Sequence, residues 1–440
     1  MKFYNREKEL QVLTELREQV EQGSRMAVVT GRRRVGKTML ALEFAGTHKF
    51  LYLFVSKKAE HLLCMEYVEQ IKKLFHFPVL GDIKYFSDVF ELLLDLSKKE
   101  PFTLIVDEFQ EFYTINPSVY SDVQRLWDLH KSSSRMNLIF IGSVYSLMHK
   151  IFEESKEPLF GRADRILFLK PFSIRNVHAV LRNHGVDDEK TFFDTYLFTG
   201  GMPKYLDILT SNSAFSREKM LNFMLTADSP FLNEGKSLLI EEFGREYGTY
   251  FSILELIASG KTARTEIESV LEIQAGAYLA RLENDYALIS RQMPIDAKPG
   301  SRLLKYRIID NFLNFWFRFI FRNRSAIEIG NFGYVKKIVE RDYSTYAGRV
   351  LEKFYHELFA ATGRFNRIGS YWERGNRNEI DLVAINDLKK EITLAEIKLN
   401  KSRISPDELK RKGQKLLATY PGYKVEWLSL GLDDVKKYLN

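Results

Sequence analysis

The chain has 440 residues, 45% of them hydrophobic and 28% charged, which excludes a disordered chain and predicts a folded protein of two to four domains. No run of eighteen apolar residues is present, and the start, MKFYNREKEL, lacks the apolar centre of a signal peptide; we expect a cytoplasmic protein with no membrane partner. The single cysteine, Cys64, excludes a disulfide framework and a multi-cysteine metal site, and the net charge of +7 favours an anionic partner only weakly.

A phosphate-binding motif is the first pattern along the chain. Residues 31–38, GRRRVGKT, match G-x-x-x-x-G-K-[ST]; the apolar run RMAVVT before them predicts a buried strand, and MLALEFA after them has helical spacing. In this setting backbone N–H groups face a phosphate at a helix N-terminus, Lys37 reaches the β- and γ-phosphates, and the Thr38 hydroxyl ligates Mg²⁺. The motif therefore predicts ATP with Mg²⁺, and the sequence leaves GTP open.

Three arginines fill the middle of this loop. The motif does not require them, since its x positions are free. They either raise the local positive field or meet a neighbouring subunit. The residues predicted to contact the nucleotide here are Gly31, Arg32, Arg33, Arg34, Val35, Gly36, Lys37, Thr38 and Met39.

A second apolar run supplies the acidic residues that nucleotide hydrolysis requires. Residues 102–106 predict a strand, and Asp107 and Glu108 follow at its C-terminal end. Neighbouring side chains at a strand end point in different directions, so we assign Asp107 to the Mg²⁺ shell and Glu108 to the attacking water. An Asp-Glu pair after a strand is also a common helix start, which is the structural alternative.

Further polar groups follow the next predicted strands. The apolar run 138–141 ends just before Ser143, where a small polar side chain can sense the γ-phosphate or the water. Arg162 and Arg165 precede a predicted strand at 166–169, a position from which an arginine can stabilise transition-state charge on a neighbouring subunit's nucleotide. Such shared ATP sites would require a homo-oligomer; ordinary surface arginines are the alternative.

In this order, the segments resemble the archaeal-type AAA+ ATPases related to the STAND group. The resemblance rests on FYNREKELQVL, GRRRVGKT, LIVDEFQ, IFIGSVYSLM, PLFGRADRILFLKPFS and TGGMPKYL. It implies an α/β P-loop NTPase fold: a parallel sheet of strand order 5-1-4-3-2, helices on both faces, and a helical lid. It also implies that Asn5 and Arg6 lie near the adenine and that Gly200, Gly201 and Pro203 mark a lid segment facing the nucleotide.

The middle of the chain predicts three short helices and a hairpin. The predicted segments are helices around 253–257, 265–270 and 276–282 and a strand starting at 288. They resemble the winged helix that follows the lid in the same family. The presumptive recognition helix has Arg281 as its only basic residue, so we favour a packing or intersubunit role over direct DNA contact. The aromatic block 306–325 predicts one interdomain core helix, and its arginines disfavour membrane binding.

Two strand-like segments near the end of the chain carry acidic and basic residues together. EIDLVAI contains Asp381, and ITLAEIKL contains Glu396 and Lys398. Residues two apart on a strand share a face, so Glu396 and Lys398 project together, and a hairpin around NDLKK would bring Asp381 beside them. Two carboxylates can hold Mg²⁺ while the lysine offsets the charge that grows during phosphodiester cleavage. Glu352, on the preceding helix, completes the predicted ligand set.

This pattern resembles the PD-(D/E)xK nuclease superfamily, as the DUF234 tail of these ATPases does. The match is Asp381 followed by Glu396-x-Lys398, with Glu352 upstream; the usual proline before the aspartate is absent. A solvated strand face with an ordinary Glu–Lys pair is the alternative, because the pattern is permissive. Basic residues before the motif either hold a nucleic-acid backbone or belong to a solvated loop. They are Arg364, Arg367, Arg374 and Arg377.

The predicted organisation has four parts. They are an ATPase core at 1–170, a helical lid at 171–238, a winged helix at 239–325 and a restriction-endonuclease-like α/β domain at 326–440. We expect a DNA-associated ATPase that drives or gates a nuclease module. The alternatives are a STAND-like switch whose C-terminal domain binds a partner without cleaving nucleic acid, and a nucleotide-regulated transcription factor.

Overall fold

A five-stranded parallel β-sheet forms the centre of the first of two units, which divide after Pro171. The structure is a computed structural model that describes residues 3–46, 48–76, 78, 81–298, 300–301 and 303–439. The strands of this sheet are β1 (Arg25–Gly31), β2 (Phe50–Phe54), β3 (Phe102–Asp107), β4 (Met136–Ile141) and β5 (Arg165–Leu169). Their order across the sheet is β2-β3-β4-β1-β5, so the expected order 5-1-4-3-2 is confirmed.

Helices enclose the middle of this sheet. They are α1 (Glu7–Glu18), α2 (Lys37–Ala45), α3 (Glu60–Phe75), α4 (Phe86–Lys99), α5 (Phe112–Ile115), α6 (Ser118–His130) and α7 (Tyr145–Glu153). Strands β3 and β4 are buried along their whole length, which explains their continuous apolar sequences. Aromatic rings fill the core beside them, and Phe109 stacks on Phe140 with ring centroids 3.9 Å apart. The edge strand β5 instead exposes Ile166 and Phe168.

The second unit begins with a group of helices. They are α8 (Ile174–Asn183), α9 (Glu189–Thr199), α10 (Pro203–Ser211), α11 (Arg217–Met224) and α12 (Phe231–Phe243). Three of them start at a side-chain cap: the oxygens of Ser173, Asp188 and Ser216 accept hydrogen bonds from backbone N–H groups of the first turn. Such caps satisfy donors that a helix leaves unpaired at its N-terminus.

Three helices and a two-stranded antiparallel sheet follow. They are α13 (Tyr247–Ala258), α14 (Arg264–Leu271), α15 (Gly276–Asn284), β6 (Ile289–Gln292) and β7 (Lys305–Ile308). The helices and the first strand lie where the apolar spacing predicts them. Buried Ile253, Leu254 and Ile257 on α13 form the inner face that this spacing indicated.

The aromatic block 306–325 is helical only from Asn311 onward, so the predicted core helix is confirmed for most of the block but its start is wrong. Its first residues belong to β7, and the helix α16 (Asn311–Phe315) begins only after Asp310, whose carboxylate accepts a hydrogen bond from the N–H of Leu313. A π-helical stretch, Trp316–Ile320, and a 3-10 turn, Phe321–Asn323, then lead to α17 (Arg324–Glu328). The rings are nonetheless core residues, as expected. No helix in the described part of the chain combines the length and the apolarity needed to cross a bilayer.

The C-terminal part of the second unit is a four-stranded sheet between two helices. Its elements are α18 (Phe332–Ala361), β8 (Arg367–Glu373), β9 (Arg377–Asn386), β10 (Glu391–Ile397), α19 (Pro406–Leu417) and β11 (Lys424–Leu430). The strand order is β11-β10-β9-β8; β8, β9 and β10 are antiparallel neighbours, and β11 runs parallel to β10. Helix α18 packs against β8 and β9, and α19 packs against β9, β10 and β11.

Candidate functional site

The predicted phosphate loop joins Gly31, the last residue of β1, to Lys37, the first residue of α2. Its backbone enters the left-handed half of conformational space three times, with φ of 138° at Gly31, 72° at Arg34 and 92° at Gly36. A Cβ on Gly31 would lie 2.5 Å from the main-chain oxygen of Leu169, so only glycine fits there. The loop therefore wraps the N-terminus of α2, where backbone N–H groups can converge on an anion.

Lys37 folds back over this loop. Its Nζ donates to the main-chain oxygens of Gly31 at 2.8 Å and Arg32 at 3.0 Å, and the residue is only 7% exposed. A phosphate oxygen can replace such carbonyl partners without moving the ammonium group far. Of the other predicted contacts, Val35 is buried and Met39, on the first turn of α2, is exposed.

The two predicted magnesium ligands of the first unit lie in contact. The Thr38 hydroxyl donates to Oδ2 of Asp107 at 2.6 Å, and Asp107 lies at the end of β3 with 3% exposure. The hydroxyl of Tyr52, on β2, donates to the same oxygen at 2.9 Å. Burial, assisted by the Asp107 charge, raises the pKa of Tyr52, so the phenol remains a donor. A hydroxyl and a carboxylate oxygen held together fit Mg²⁺, a hard cation that prefers oxygen ligands.

Glu108 is held by two donors on one oxygen. Its Oε2 accepts from Nε2 of Gln110 at 2.5 Å and from the hydroxyl of Ser143 at 2.6 Å. Arg33 Nε donates to the Ser143 oxygen at 3.3 Å, which links the phosphate loop to this pair. Asp107, Glu108 and Ser143 thus converge as predicted. Gln110 was missed, because nothing in LIVDEFQ distinguishes its amide from an ordinary polar side chain.

Arg6 ties the N-terminal segment to the loop. Its guanidinium donates to the main-chain oxygens of Val35 at 3.2 Å and Lys170 at 2.7 Å and pairs with Glu9 at 3.1 Å. Burial lowers the pKa of this arginine. Asn5 and Arg6 both have positive φ, 56° and 88°, so the chain turns sharply before α1. Their contact with an adenine stays a prediction.

The remaining predicted contacts lie apart from this cluster or in the other unit. Arg162 pairs with Asp128 at 3.2 Å, and Arg165, at the start of β5, donates to the main-chain oxygen of Asp164. Both arginines therefore serve surface contacts within their own chain. Pro203 is the buried first residue of α10, and its approach to the nucleotide stays a prediction.

A second cluster lies at one end of the β9–β10 hairpin. Leu382 pairs with Ala395 in the antiparallel register, so Asp381 and Glu396 follow at the same end. Lys398 Nζ lies 3.2 Å from Oδ2 of Asp381 and 3.0 Å from Oε1 of Glu396. The structure thus brings together the three residues that the sequence predicted to meet. Both carboxylates therefore contact the same ammonium group, that of Lys398.

Neighbouring groups hold these carboxylates in place. The N–H of Ile397 donates to Oδ2 of Asp381 at 2.8 Å, and Nε2 of His356, on α18, bonds to the Asp381 main-chain oxygen at 2.7 Å. Lys412, on α19, contacts both oxygens of Glu396 at 3.1 and 3.2 Å. The sequence missed Lys412, because KRKGQK contains several lysines and only the packing of α19 on β10 selects one.

The carboxyl groups of Glu352, Asp381 and Glu396 lie close enough at this end of the sheet for their charges to interact. Burial and then the Asp381 charge raise the pKa of Glu352 to about 7. Burial and then the Glu396 charge raise the pKa of Asp381. Burial lowers the pKa of Lys398, but the two carboxylates outweigh it and raise the pKa overall. A cation is therefore favoured at this point.

The predicted ligand set fits a metal in part. In the residues for which the structure has a description, no three or more His, Cys, Asp or Glu side chains are grouped to hold a metal ion. Asp381 and Glu396 share the position that Lys398 Nζ approaches, whereas Glu352 is turned toward Arg307, with Oε2 3.6 Å from Nη2. The pair Asp381 and Glu396 fits an oxygen-ligated cation, and Glu352 as a third ligand stays a prediction.

Two of the nearby arginines pair with carboxylates of the same domain. Arg367 binds Asp387 through two nitrogens at 3.0 and 2.8 Å, which lowers the pKa of that carboxyl to about 2. Arg364 pairs with Glu391 at 3.0 Å. For Arg364 and Arg367, these contacts favour a role within the domain over contact with a nucleic-acid backbone.

Two family models match the chain. Residues 3–209 match the family described as an ATPase domain predominantly from Archaea, and residues 316–412 match DUF234, described as "Archaea bacterial proteins of unknown function". Uncharacterized protein MJECL04 of Methanocaldococcus jannaschii is 31% identical over 445 residues, covering 99% of this chain and 94% of that protein.

Solved structures of other proteins share the fold. The Walker-type ATPase PABY2304 of Pyrococcus abyssi superposes with a TM-score of 0.54 at 18% identity, over 72% of this chain and 96% of that chain. The ORC2 protein of Aeropyrum pernix, in ADPNP–ADP complexes, superposes with a TM-score of 0.51 at 14% identity, over 74% of this chain and 94% of that chain. At these identities the likeness extends to the fold alone.

Proposed function

Because the chain belongs to the family of archaeal-type ATPases that join this ATPase domain to a C-terminal DUF234 domain, we propose that it binds and hydrolyses MgATP at residues 31–38. The observation that carries this proposal is the 2.6 Å contact between Thr38 and Asp107 beside Lys37. It joins the phosphate loop to the acidic end of β3, as nucleotide hydrolysis in P-loop enzymes requires. The ADPNP–ADP complexes of the ORC2 protein support an adenine nucleotide.

Each residue of the cluster has a distinct task in this proposal. The backbone of the loop and Lys37 hold the phosphates, and Thr38 and Asp107 would hold Mg²⁺, which would neutralise phosphate charge when bound. Glu108 accepts the proton of the water that attacks the γ-phosphorus, while the bond from that phosphorus to the β-phosphate oxygen breaks. Gln110 and Ser143 fix the direction in which the Glu108 carboxylate points.

Phosphate release and ATP binding test this proposal together. Lys37→Ala is expected to lose MgATP binding in calorimetry and to lose turnover. Glu108→Gln is expected to keep binding while turnover falls by about 10²–10⁴-fold. Sustained turnover in either variant would refute its assigned role, and a parallel assay with MgGTP determines the base preference.

We further propose that the C-terminal domain is a metal-dependent nuclease module acting on nucleic acid, with DNA the expected substrate. The order α18–β8–β9–β10–α19–β11, with β11 parallel to β10, supports the resemblance to the PD-(D/E)xK superfamily. The specific observation in its favour is that Lys398 Nζ lies 3.2 Å from the Asp381 carboxylate and 3.0 Å from the Glu396 carboxylate.

The roles in this second site follow from the contacts. Asp381 and Glu396 would hold Mg²⁺, which activates water and polarises the scissile phosphate when bound. Lys398 stabilises the negative charge that develops on the phosphate. Lys412 orients Glu396, and His356 with Ser370, whose hydroxyl donates to the Asp381 main-chain oxygen at 3.0 Å, fixes the strand that carries Asp381.

Incubation with Mg²⁺ or Mn²⁺ and single- or double-stranded DNA tests the nuclease proposal. Metal-dependent cleavage that Asp381→Ala abolishes would support it. If neither substrate is cut with either metal, the nuclease proposal fails. The remaining proposal is then a STAND-like switch whose DUF234 domain binds a partner.

We also propose that 171–238 is the lid and that α13–α15 with β6–β7 form a winged helix used for packing. The only basic residue of α15, Arg281, pairs with Glu246 at 3.3 Å and donates to the hydroxyl of Tyr250. An arginine engaged in this way supports packing over base readout. DNA binding that is lost in Arg281→Ala would contradict this assignment.

A further inference from the structure

A cavity of about 330 Å³ lies between the β6–β7 hairpin and α18, all within the second unit. Four basic residues line it: Lys305, Arg307, Arg349 and Lys353. Two acidic residues, Glu352 and Glu379, also line it. The lining therefore carries an excess of two positive charges, which favours an anionic ligand.

Two elements that line the cavity, α18 and β9, also carry residues of the candidate metal centre or in contact with it. On α18, Glu352 lines the cavity, and His356, four residues later on the same helix face, bonds to the main chain of Asp381 at 2.7 Å. On β9, Glu379 lines the cavity and lies two residues before Asp381, on the same strand face. A ligand in the cavity would therefore reach toward Asp381.

Two of the basic residues are already paired with the acids beside them. Lys305 contacts Glu379 at 3.0 Å, and Arg307 contacts Glu352 at 3.6 Å. Arg349 differs: its side chain is exposed, it lies over Gly260, and within the described part of the chain it has no carboxylate partner. It is the cavity cation best placed to meet a phosphate.

Neutral polar groups complete the lining. Ser290 and Gln292 on β6 and Asn314 on α16 all face the cavity wall. The Oε1 of Gln292 is buried without a hydrogen-bond partner, which leaves an acceptor to be satisfied by a ligand donor. Phosphate-binding cations beside amide and hydroxyl groups are the set that recognises a nucleotide, with its charged backbone and its polar base edges.

The volume of the cavity limits the size of the ligand that it can hold. Pockets for small ligands span roughly 300–1,000 Å³, so a cavity of about 330 Å³ has room for about one nucleotide and excludes a double helix. We infer that this cavity guides the end of a single nucleic-acid strand, held by Arg349, toward Asp381, Glu396 and Lys398. The inference rests on the proposed nuclease function, for which it names the substrate as single-stranded.

Fluorescence anisotropy with a labelled single-stranded oligonucleotide tests this inference. The full-length protein is used in EDTA, so binding is read without cleavage. Arg349→Glu is expected to weaken binding by about tenfold, as when one charge-assisted contact becomes repulsive. Lys337→Glu makes the same charge change at an exposed position of α18 outside the cavity and is expected to bind like the unmodified protein.

The salt dependence supplies a second measurement. Arg349→Ala introduces no new charge and is expected to reduce the magnitude of the slope of log K against log salt by about 0.7, the value for one phosphate contact on a single strand. If Arg349→Glu melts at a lower temperature than the unmodified protein, Arg349→Ala takes its place in the comparison with Lys337→Ala.

Several results would overturn the inference. They are equal weakening by the Arg349 and Lys337 variants, duplex binding with the same Arg349 dependence, and full competition by a free mononucleotide at equal concentration. Cleavage assays separate this inference from the proposed function. Arg349-dependent strand binding without any cleavage would refute the nuclease alone, whereas cleavage indifferent to Arg349 would refute the cavity alone.

Discussion

Ser143→Ala tests the role of the Glu108 network most directly. The variant removes one of the two donors on Glu108 Oε2, the hydroxyl at 2.6 Å, and leaves the Gln110 amide at 2.5 Å. A hydrogen bond to a charged group is worth about 1.5–3 kcal/mol. If this orientation is needed only when water attacks, kcat falls by about 10- to 100-fold, since each 1.36 kcal/mol corresponds to a factor of ten.

The assay is steady-state phosphate release as a function of MgATP concentration. KM is expected to change less than kcat, because the shorter of the two lost bonds holds the base Glu108 and the longer one, from Arg33 Nε at 3.3 Å, reaches the phosphate loop. Ser143→Thr keeps the hydroxyl and is expected to retain most of the rate. Ser133→Ala removes an exposed serine hydroxyl that donates to the main-chain oxygen of His130 and serves as the matched control. A kcat within about twofold of the unmodified protein, or a Thr variant as slow as the Ala variant, would refute the reasoning.

Other predictions concern the loop, the second site and assembly. Gly31→Ala places a Cβ 2.5 Å from a main-chain oxygen at a φ of 138°, so we expect MgATP binding to be lost in calorimetry; unchanged affinity would contradict this. Burial raises the pKa of Glu352 to about 7, so the folded protein binds a proton on Glu352 more tightly than the unfolded chain does. The free energy of unfolding therefore falls as the pH rises from the ordinary pKa of a glutamate in the unfolded chain through 7. Glu352→Gln is expected to remove this loss of unfolding free energy, which amounts to up to about 3 kcal/mol. Thermal melting in EDTA, well below and well above pH 7, measures it, and a pH profile equal to that of the unmodified protein would contradict the prediction. If Arg162 or Arg165 acts on a neighbouring subunit, mixing its alanine variant with Glu108→Gln restores part of the ATP turnover, and no rescue counts against a shared site.

The geometry of the phosphate loop could be predicted closely because its signal is local. Gly31, Lys37 and Thr38 lie within eight residues, and the backbone geometry of such a loop depends on its own glycines. Asp107 lies far along the chain, but it follows a fully buried strand, and parallel strands end at one edge of a sheet. Strand β2, FLYLF, was not identified from its residues, because five apolar residues do not distinguish a strand from part of a helix.

Contacts that depend on tertiary packing could not be predicted from the sequence. Gln110 meets Glu108 because the chain turns at Glu108, where φ is 55°, and no propensity predicts that turn. The helix in block 306–325 was predicted to start too early because its first residues satisfy helical and strand spacing alike. The carboxylate of Asp310 and the pairing of β7 with β6 decide between them.

The C-terminal motif shows why spacing alone leaves two interpretations open. An ordinary Glu–Lys pair on a solvated strand would remain exposed, since surface ion pairs add little stability. Asp381 instead is 6% exposed, and the side chain of Glu396 is 12% exposed. Burying two carboxylates beside each other is unfavourable unless a cation is held there. The register that pairs Leu382 with Ala395 creates this situation, and a shift by one residue would place Ile380 or Leu382 beside Lys398 and remove it. Lys398 and Lys412 supply this positive charge, so the burial of the two carboxylates argues against a solvated strand face and supports the proposed site.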